Sequence, residues 1–102
     1  MSVNIDPSSL LEELKVRIRI TSSTFDDMEI LPLANACITD LSLGGVKRID
    51  IADPLIKQAI VLYVKANFGV SDESGKFQRA YEGLKNSLAL CGDYTENKQV
   101  EI

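Results

Sequence analysis

Residues 53–69 read DPLIKQAIVLYVKANFG, and this stretch decides the fold. Asp53 followed by Pro54 is typical of a helix start, because the carboxylate can cap free N–H groups and proline suits the first helical position. The residues that follow are apolar almost all round, as in a helix buried among others. The sequence therefore predicts a central helix over 54–68, ended by Gly69.

Apolar residues at helical spacing predict two amphipathic helices on either side of this central one. The first covers 7–18, begins at Pro7, and carries Leu10, Leu11, Leu14 and Ile18 on one face. The last covers 75–91 and carries a single stripe, formed by Phe77, Ala80, Tyr81, Leu84, Leu88 and Cys91. Both helices are expected to turn these faces toward the core.

A further helix is predicted over 25–43, although Pro32 interrupts its pattern. Proline lacks the backbone donor and its ring clashes with the preceding turn. Either the helix kinks near 28–32, or it begins just before Pro32. We favour the kink.

The segments outside the helices are a loop and a tail. Gly44 and Gly45 offer the positive φ angles that end a helix, and 44–52 is predicted to be an ordered loop. A short extended segment is an alternative, since Ile49 and Ile51 share one side of a strand period. The polar residues 93–102 are expected to lack fixed structure. The prediction is an all-α, four-helix domain over 1–92, with a flexible C-terminal tail over 93–102.

Length and charge limit the classes of function. The 102 residues suit one domain, and 45% hydrophobic with 25% charged residues is typical of a globular core. A formal net charge of −4 repels phosphate at long range, which disfavours a dedicated duplex-binding protein. It does not exclude a protein that encircles DNA, because such a conduit must not grip the polyanion tightly.

Targeting segments and cysteine motifs are not evident. The start of the chain lacks the basic and apolar pattern of a secretory signal, and the apolar stretch 59–64 is too short to cross a bilayer. Cys37 and Cys91 show no CxxC spacing, so buried thiols in a reducing compartment are expected. A disulfide between them stays open as an alternative.

Catalytic patterns are also missing from the sequence. With no histidine, the common nucleophile triads and imidazole zinc sites are not possible. The acidic clusters at 26–29 and 72–73 stand at predicted helix starts, where the helix dipole explains them better than metal binding or acid–base chemistry does. The sequence therefore predicts no enzyme, no metal and no cofactor.

Two basic groups remain as candidates for recognition. Lys15, Arg17 and Arg19 end the first helix, where they form either a solvated face or charges at a subunit interface. Lys47 and Arg48 lie on the loop and can project freely, but two charges give only weak, salt-dependent contact with nucleic acid.

Four segments together resemble one known family. They are Leu14 to Ile20 (LKVRIRI), Phe25-Asp26-Asp27, the apolar helix from Pro54 that ends in Phe68-Gly69, and 81–88 (YEGLKNSL). Over roughly 8–92 the chain is similar to the head-tail connector, or head-completion adaptor, proteins of long-tailed, siphovirus-type bacteriophages. These are also described as possible DNA-packaging proteins.

The resemblance implies a subunit that forms a ring of twelve copies beneath the portal protein. The ring would extend the DNA channel, let viral DNA pass without sequence-specific binding, and receive the next head-completion or stopper protein. It would belong to the virion at the head-tail interface, with assembly in the host cytoplasm and no membrane partner. By similarity, one candidate surface is the loop facing the lumen or an adjoining ring: Gly44, Gly45, Val46, Lys47, Arg48, Ile49, Asp50 and Ile51. The tail would be an arm that docks on the portal through Tyr94, Lys98, Val100 and Ile102.

Two further expectations follow. Val100 and Ile102 share a strand period and can add to a partner's sheet edge, so deleting 93–102 is expected to abolish portal binding and leave melting unchanged. The alternative function is a small helical DNA-binding or regulatory module. That module would need a basic helical face, whereas the last helix mixes Lys76, Arg79 and Lys85 with Glu82.

Overall fold

The computed structural model describes residues 7–19, 29–68 and 74–95. Within these ranges the chain forms helices joined by turns and loops, so the predicted all-α fold is confirmed. The helices are α1 (Leu11–Ile18, continuing a 3-10 turn over Pro7–Leu10), α2 (Leu31–Leu43), α3 (Pro54–Asn67), α4 (Ser74–Leu90) and α5 (Gly92–Thr95). The predicted helices 7–18, 54–68 and 75–91 match to within a residue.

Helix α3 is the centre of the bundle, as predicted. Asp53 has an extended backbone and its carboxylate accepts a hydrogen bond from the Leu55 N–H at 2.8 Å, which caps the helix. The helix packs against α1, α2 and α4. Its inward side chains are completely buried: Ile56, Ala59, Ile60 and Val64. Burial on several sides explains why this stretch is apolar almost all round.

The α-helical part of α2 begins at Leu31, and the kink and a start just before Pro32 both stay predictions, because residues 20–28 lie outside the described ranges. The α-helix starts at Leu31, so Pro32 occupies its first turn, where backbone N–H groups have no partner within the helix and proline removes nothing. Glu29 and Ile30 precede it in a wider, π-helical turn. The predicted start near Phe25 lies outside the described residues. The predicted end at Leu43 is confirmed.

The inward stripe of α4 is shorter than predicted. Tyr81 and Leu88 are buried, but Ala80 and Cys91 are exposed. Cys91 lies beyond the last residue of α4, where the chain turns into α5 and leaves the core. The expectation of two buried thiols is therefore wrong for Cys91 and right for Cys37, and both thiols are free.

The helical structure continues past the boundary predicted at Gly92. Backbone N–H groups of Tyr94 and Thr95 donate to the Cys91 carbonyl at 3.0 and 3.1 Å, which closes the single turn of α5. The expectation that fixed structure is lacking from residue 93 onward is therefore corrected for 93–95. Residues 96–102 lie outside the described ranges.

Candidate docking site at the loop end of the bundle

The loop after α2 is anchored in the core at its first residues. The Val46 N–H donates to the Leu41 carbonyl at 3.0 Å and the Gly45 N–H to the Ser42 carbonyl at 3.2 Å, the two bonds of a Schellman ending. Gly45 alone supplies the positive φ, at 106°, while Gly44 keeps a right-handed helical backbone. Val46 then turns inward and is completely buried. This residue therefore belongs to the core and is not free to face a lumen or a ring.

Tyr94 of α5 joins the loop to the start of the tail. Its carbonyl accepts hydrogen bonds from the backbone N–H groups of Lys47 (2.7 Å) and Arg48 (3.1 Å). Its hydroxyl donates to the Asp53 carboxylate at 2.7 Å. Since Asp53 also caps α3, Tyr94 connects α5 both to the loop and to the central helix. Within the subunit no strand forms over 46–51, where the backbone N–H groups of Lys47 and Arg48 donate to Tyr94 of α5.

The protonation of this contact follows from its geometry. The hydrogen bond from Tyr94 lowers the pKa of Asp53, and the hydrogen bond from the Leu55 N–H lowers it further. The same contact raises the pKa of Tyr94, because ionising the phenol would lose the hydrogen bond to a carboxylate. At neutral pH the pair is therefore a phenol donating to a carboxylate.

The side chains that project from this region form a surface that we call the loop end. The end of α2 meets α4 at Gly44 and Lys85, and the start of α3 meets α5 at Asp53 and Tyr94. The neighbouring turns of α2, α3 and α4 each leave a leucine outside the core. Leu43 is 83% exposed, Leu90 is 87% exposed and Leu55 is 45% exposed. Lys47 and Arg48 are exposed on the loop between them. A partner protein that docks at this end would cover these leucines.

A polar cluster holds α2 against α4 directly behind the loop end. The Asp40 carboxylate accepts hydrogen bonds from the Tyr81 hydroxyl at 2.5 Å and the Lys85 ammonium at 3.0 Å. Lys85 also pairs with Glu82 at 3.1 Å. Burial by itself would raise the pKa of Asp40, but the two hydrogen bonds outweigh it and lower that pKa. The partners of this carboxylate all lie within the subunit, so the cluster stabilises the bundle.

The predicted site residues are thus partly brought together. The loop and Tyr94 meet at the loop end, whereas Lys98, Val100 and Ile102 lie outside the described residues. The expectation of three surface charges on the first helix is wrong for Lys15, which is only 7% exposed. Arg17 and Arg19 are exposed, and they lie at the other end of α3, beside Lys65.

Two features of the loop end were missed from sequence. The contact between Tyr94 and Asp53 joins residues 41 apart and leaves no local pattern. The exposed leucines did leave a signal: Leu43 and Leu90 each follow an inward leucine by two positions, which is about 200° around a helix. Such leucines face away from the core and could have been recognised as surface residues.

Two kinds of site are not found in the described part of the chain. Among residues 7–19, 29–68 and 74–95, no group of three acidic or cysteine side chains could hold a metal ion. None of the helices described is long and apolar enough to cross a membrane.

The described chain is a small helical bundle that exposes leucines and basic side chains near the ends of its helices. A family model described as "Phage connector protein" matches residues 10–95, and the chain belongs to this family. Its role is therefore that of a structural connector, a virion component that assembles with other phage head or tail proteins. The resemblance identified from sequence is confirmed. Neither a curated protein nor a solved structure matches the chain.

Proposed function

We propose that the chain is a head-tail connector that forms a ring under the portal protein once DNA is packaged. Twelve copies extend the DNA channel and offer a platform for the next head-completion or stopper protein. Assembly takes place in the host cytoplasm, and the chain acts by binding and not by catalysis. Family membership over residues 10–95 supports the connector role.

The loop end is the surface that faces the portal in this proposal. The observation that carries it is the Tyr94 contact, which brings the candidate loop and the root of the candidate arm to one end of the subunit. Leu43 and Leu90 are exposed at the same end and would be covered by a partner. Of the two sequence alternatives for the loop, contact with an adjoining ring fits this position better than the lumen.

The DNA in the channel would be bound without sequence specificity. A net charge of −4 keeps the ring from gripping a polyanion. The alternative of a DNA-reading helix is weakened at α4, because Lys85 is engaged by Asp40 and Glu82. Binding to duplex DNA measured at two salt concentrations separates the two functions: strong binding with a steep salt dependence would support the regulator.

Two truncations test the arm against purified portal. Deleting 96–102 spares Tyr94, so we expect unchanged melting and a loss of portal affinity of about tenfold or more, equal to about 1.4 kcal/mol. Deleting 93–102 also removes the Tyr94 bonds to the loop and to Asp53, so melting is expected to fall by about 4–8 °C for each kcal/mol lost. This prediction differs from the sequence-based expectation that the longer deletion leaves melting unchanged.

The readouts are thermal melting, portal binding and electron microscopy of the complexes. Rings of twelve copies on the portal are the expected images for the full chain. Full portal binding by the shorter truncation would contradict an arm role for 96–102, and absence of rings on the portal would contradict the proposed function itself.

A further inference from the structure

A second surface feature lies at the end of α3 that is remote from the loop end. It is a cavity of about 190 Å³ between the last residues of α1, the last residues of α3 and the first turn of α4. The residues that line it are Arg17, Ile18, Arg19, Lys65, Phe68 and Phe77. We call it the basic cavity.

The basic cavity has a strongly positive lining in an acidic chain. Of the six described residues that line it, three are cations and none is acidic, although the whole chain carries a net charge of −4. The Lys65 ammonium lies 5.2 Å above the centre of the Phe77 ring, and Arg17 donates to the Gln58 side chain at 2.9 Å. The contact with Phe77 holds the Lys65 ammonium at the wall of the cavity, with aromatic surface beside it.

The third cation is held by an unusual backbone. Arg19 caps α1 in the left-handed conformation, with φ 65° and ψ 42°, and it is the sole non-glycine residue with positive φ in the described ranges. Glycine is the usual residue at this helix position, because a Cβ makes the left-handed conformation costly. With arginine at this strained position, a guanidinium lies at the rim of the cavity, whereas glycine would supply no side chain there. Strain of this kind is often found at functional sites.

The size and lining define the ligand. A cavity of about 150 Å³ admits a group the size of benzene, so the basic cavity has room for one or two side chains and not for a nucleic-acid duplex. Guanidinium groups bind carboxylates through paired hydrogen bonds. The rings of Phe68 and Phe77 offer an apolar surface next to those charges. The fitting ligand is a peptide segment with a carboxylate beside an apolar side chain.

We propose that the basic cavity binds an acidic, apolar-containing segment of the head-completion protein that follows the connector. This inference rests on the proposed function, in which the loop end faces the portal. The subunit then has two docking sites, one at each end of α3. The leucine-rich loop end contacts the portal, and the basic cavity contacts the next protein in the head-tail interface.

Charge reversal tests the proposal on phage heads that already carry portal and connector. Lys65→Glu is expected to leave the connector ring on the portal and to weaken binding of the purified next head-completion protein by about tenfold or more, since it places a negative charge against the ligand. Arg79→Glu is the matched control, because Arg79 is an exposed cation of α4 outside the cavity lining and the change in net charge is the same. The control is expected to bind normally.

A second variant guards against loss of folding. Arg19→Gly removes the cation and relieves the left-handed strain, so its melting temperature is expected to equal or exceed that of the original chain. Its heads are nevertheless expected to bind the next protein several-fold more weakly. Second-site suppressors of Lys65→Glu should change an acidic residue of the next protein into a basic one.

The outcomes separate this inference from the proposed function. Portal attachment of rings of the original chain tests the connector role, and binding of the next protein to the variant rings tests the cavity. Normal binding by Lys65→Glu and Arg19→Gly would overturn the inference, as would an equal loss in Arg79→Glu. It would also be overturned by loss of Lys65→Glu rings from the portal, or by suppressors confined to this chain's own acidic residues.

Discussion

Tyr81 shows how one buried phenol connects two helices. Its side chain is completely buried, while its hydroxyl reaches the Asp40 carboxylate at 2.5 Å. Burial raises its pKa above the ordinary range, and the hydrogen bond to Asp40 raises it further. At neutral pH Tyr81 is therefore a phenol that donates to the Asp40 carboxylate. The Tyr81 ring also packs edge-to-face against the Tyr63 ring of α3, with ring centroids 5.1 Å apart and ring planes at 74°.

Replacing Tyr81 with phenylalanine removes this donor and keeps the ring. We expect Tyr81→Phe to lower the free energy of unfolding at pH 7 by about 1–2 kcal/mol, because hydrogen bonds to charged groups are stronger than neutral ones. Solvent screening limits the loss, since the Asp40 side chain is 38% exposed. The measurement is urea denaturation of both chains.

The pH dependence of that loss follows from the lowered pKa of Asp40. A carboxyl group with a lowered folded-state pKa stabilises the protein above its unfolded-state pKa, and the stabilisation disappears as the pH falls through the folded-state pKa. The cost of Tyr81→Phe should therefore shrink in acid, below about pH 4. An equal cost at pH 7 and in acid would contradict the assignment. In a double variant that also carries Asp40→Asn, the two losses in free energy of unfolding should not add.

Helix α2 shows how a local backbone requirement ends an element. Gly45 has φ 106° and completes the Schellman ending, whereas Gly83 lies inside α4 with open space where a Cβ would stand. The two glycines therefore differ in what they contribute. One is required by its backbone conformation, and the other weakens the helix that contains it.

Replacing these two glycines by alanine is expected to change the stability of the protein in opposite directions. Gly45→Ala should destabilise the protein by about 1–2 kcal/mol, because an L side chain is strained in the left-handed region. Gly83→Ala should stabilise it by about 1 kcal/mol, because alanine is the better helix former. Thermal melting of the two variants provides the check, with each serving as the other's control. A Gly45→Ala chain that melts at or above the original temperature would show that the loop takes another path.

The packing of the whole bundle buries one of the two cysteines and leaves the other exposed. Cys37 is completely buried among α2, α3 and α4, where its thiol lies 3.7 Å from the Ala59 carbonyl, and burial raises its pKa to about 12. Cys91 is exposed between α4 and α5. Only global opening of the bundle can bring Cys37 to solvent.

Thiol labelling at pH 8 therefore reports the unfolding of the whole bundle. One thiol per chain is expected to react at once with a water-soluble disulfide reagent, and the second should react only at the rate of unfolding. In urea above the midpoint, both should react together. A Cys91→Ser chain is the control and should show the slow phase alone. Rapid reaction of two thiols in the native state would contradict the buried position of Cys37.

The secondary structure was largely predictable because its causes are local. Apolar spacing identified the helices 54–68 and 75–91, and the Asp53-Pro54 pair identified where α3 begins. The family resemblance was also visible in sequence and is confirmed over residues 10–95. The sequence left two alternatives for the start of α2, since a proline pattern alone does not say whether the turn before it stays α-helical.

What only the tertiary structure decided depends on residues distant in sequence. The Tyr94 contact with Asp53 spans 41 positions, and the basic cavity joins Arg19, Lys65 and Phe77 from three different helices. Periodicity tells which face of a helix is apolar, but not how far its neighbours cover that face. The burial of Lys15 and the exposure of Cys91 were therefore fixed by packing between helices, which no local pattern records.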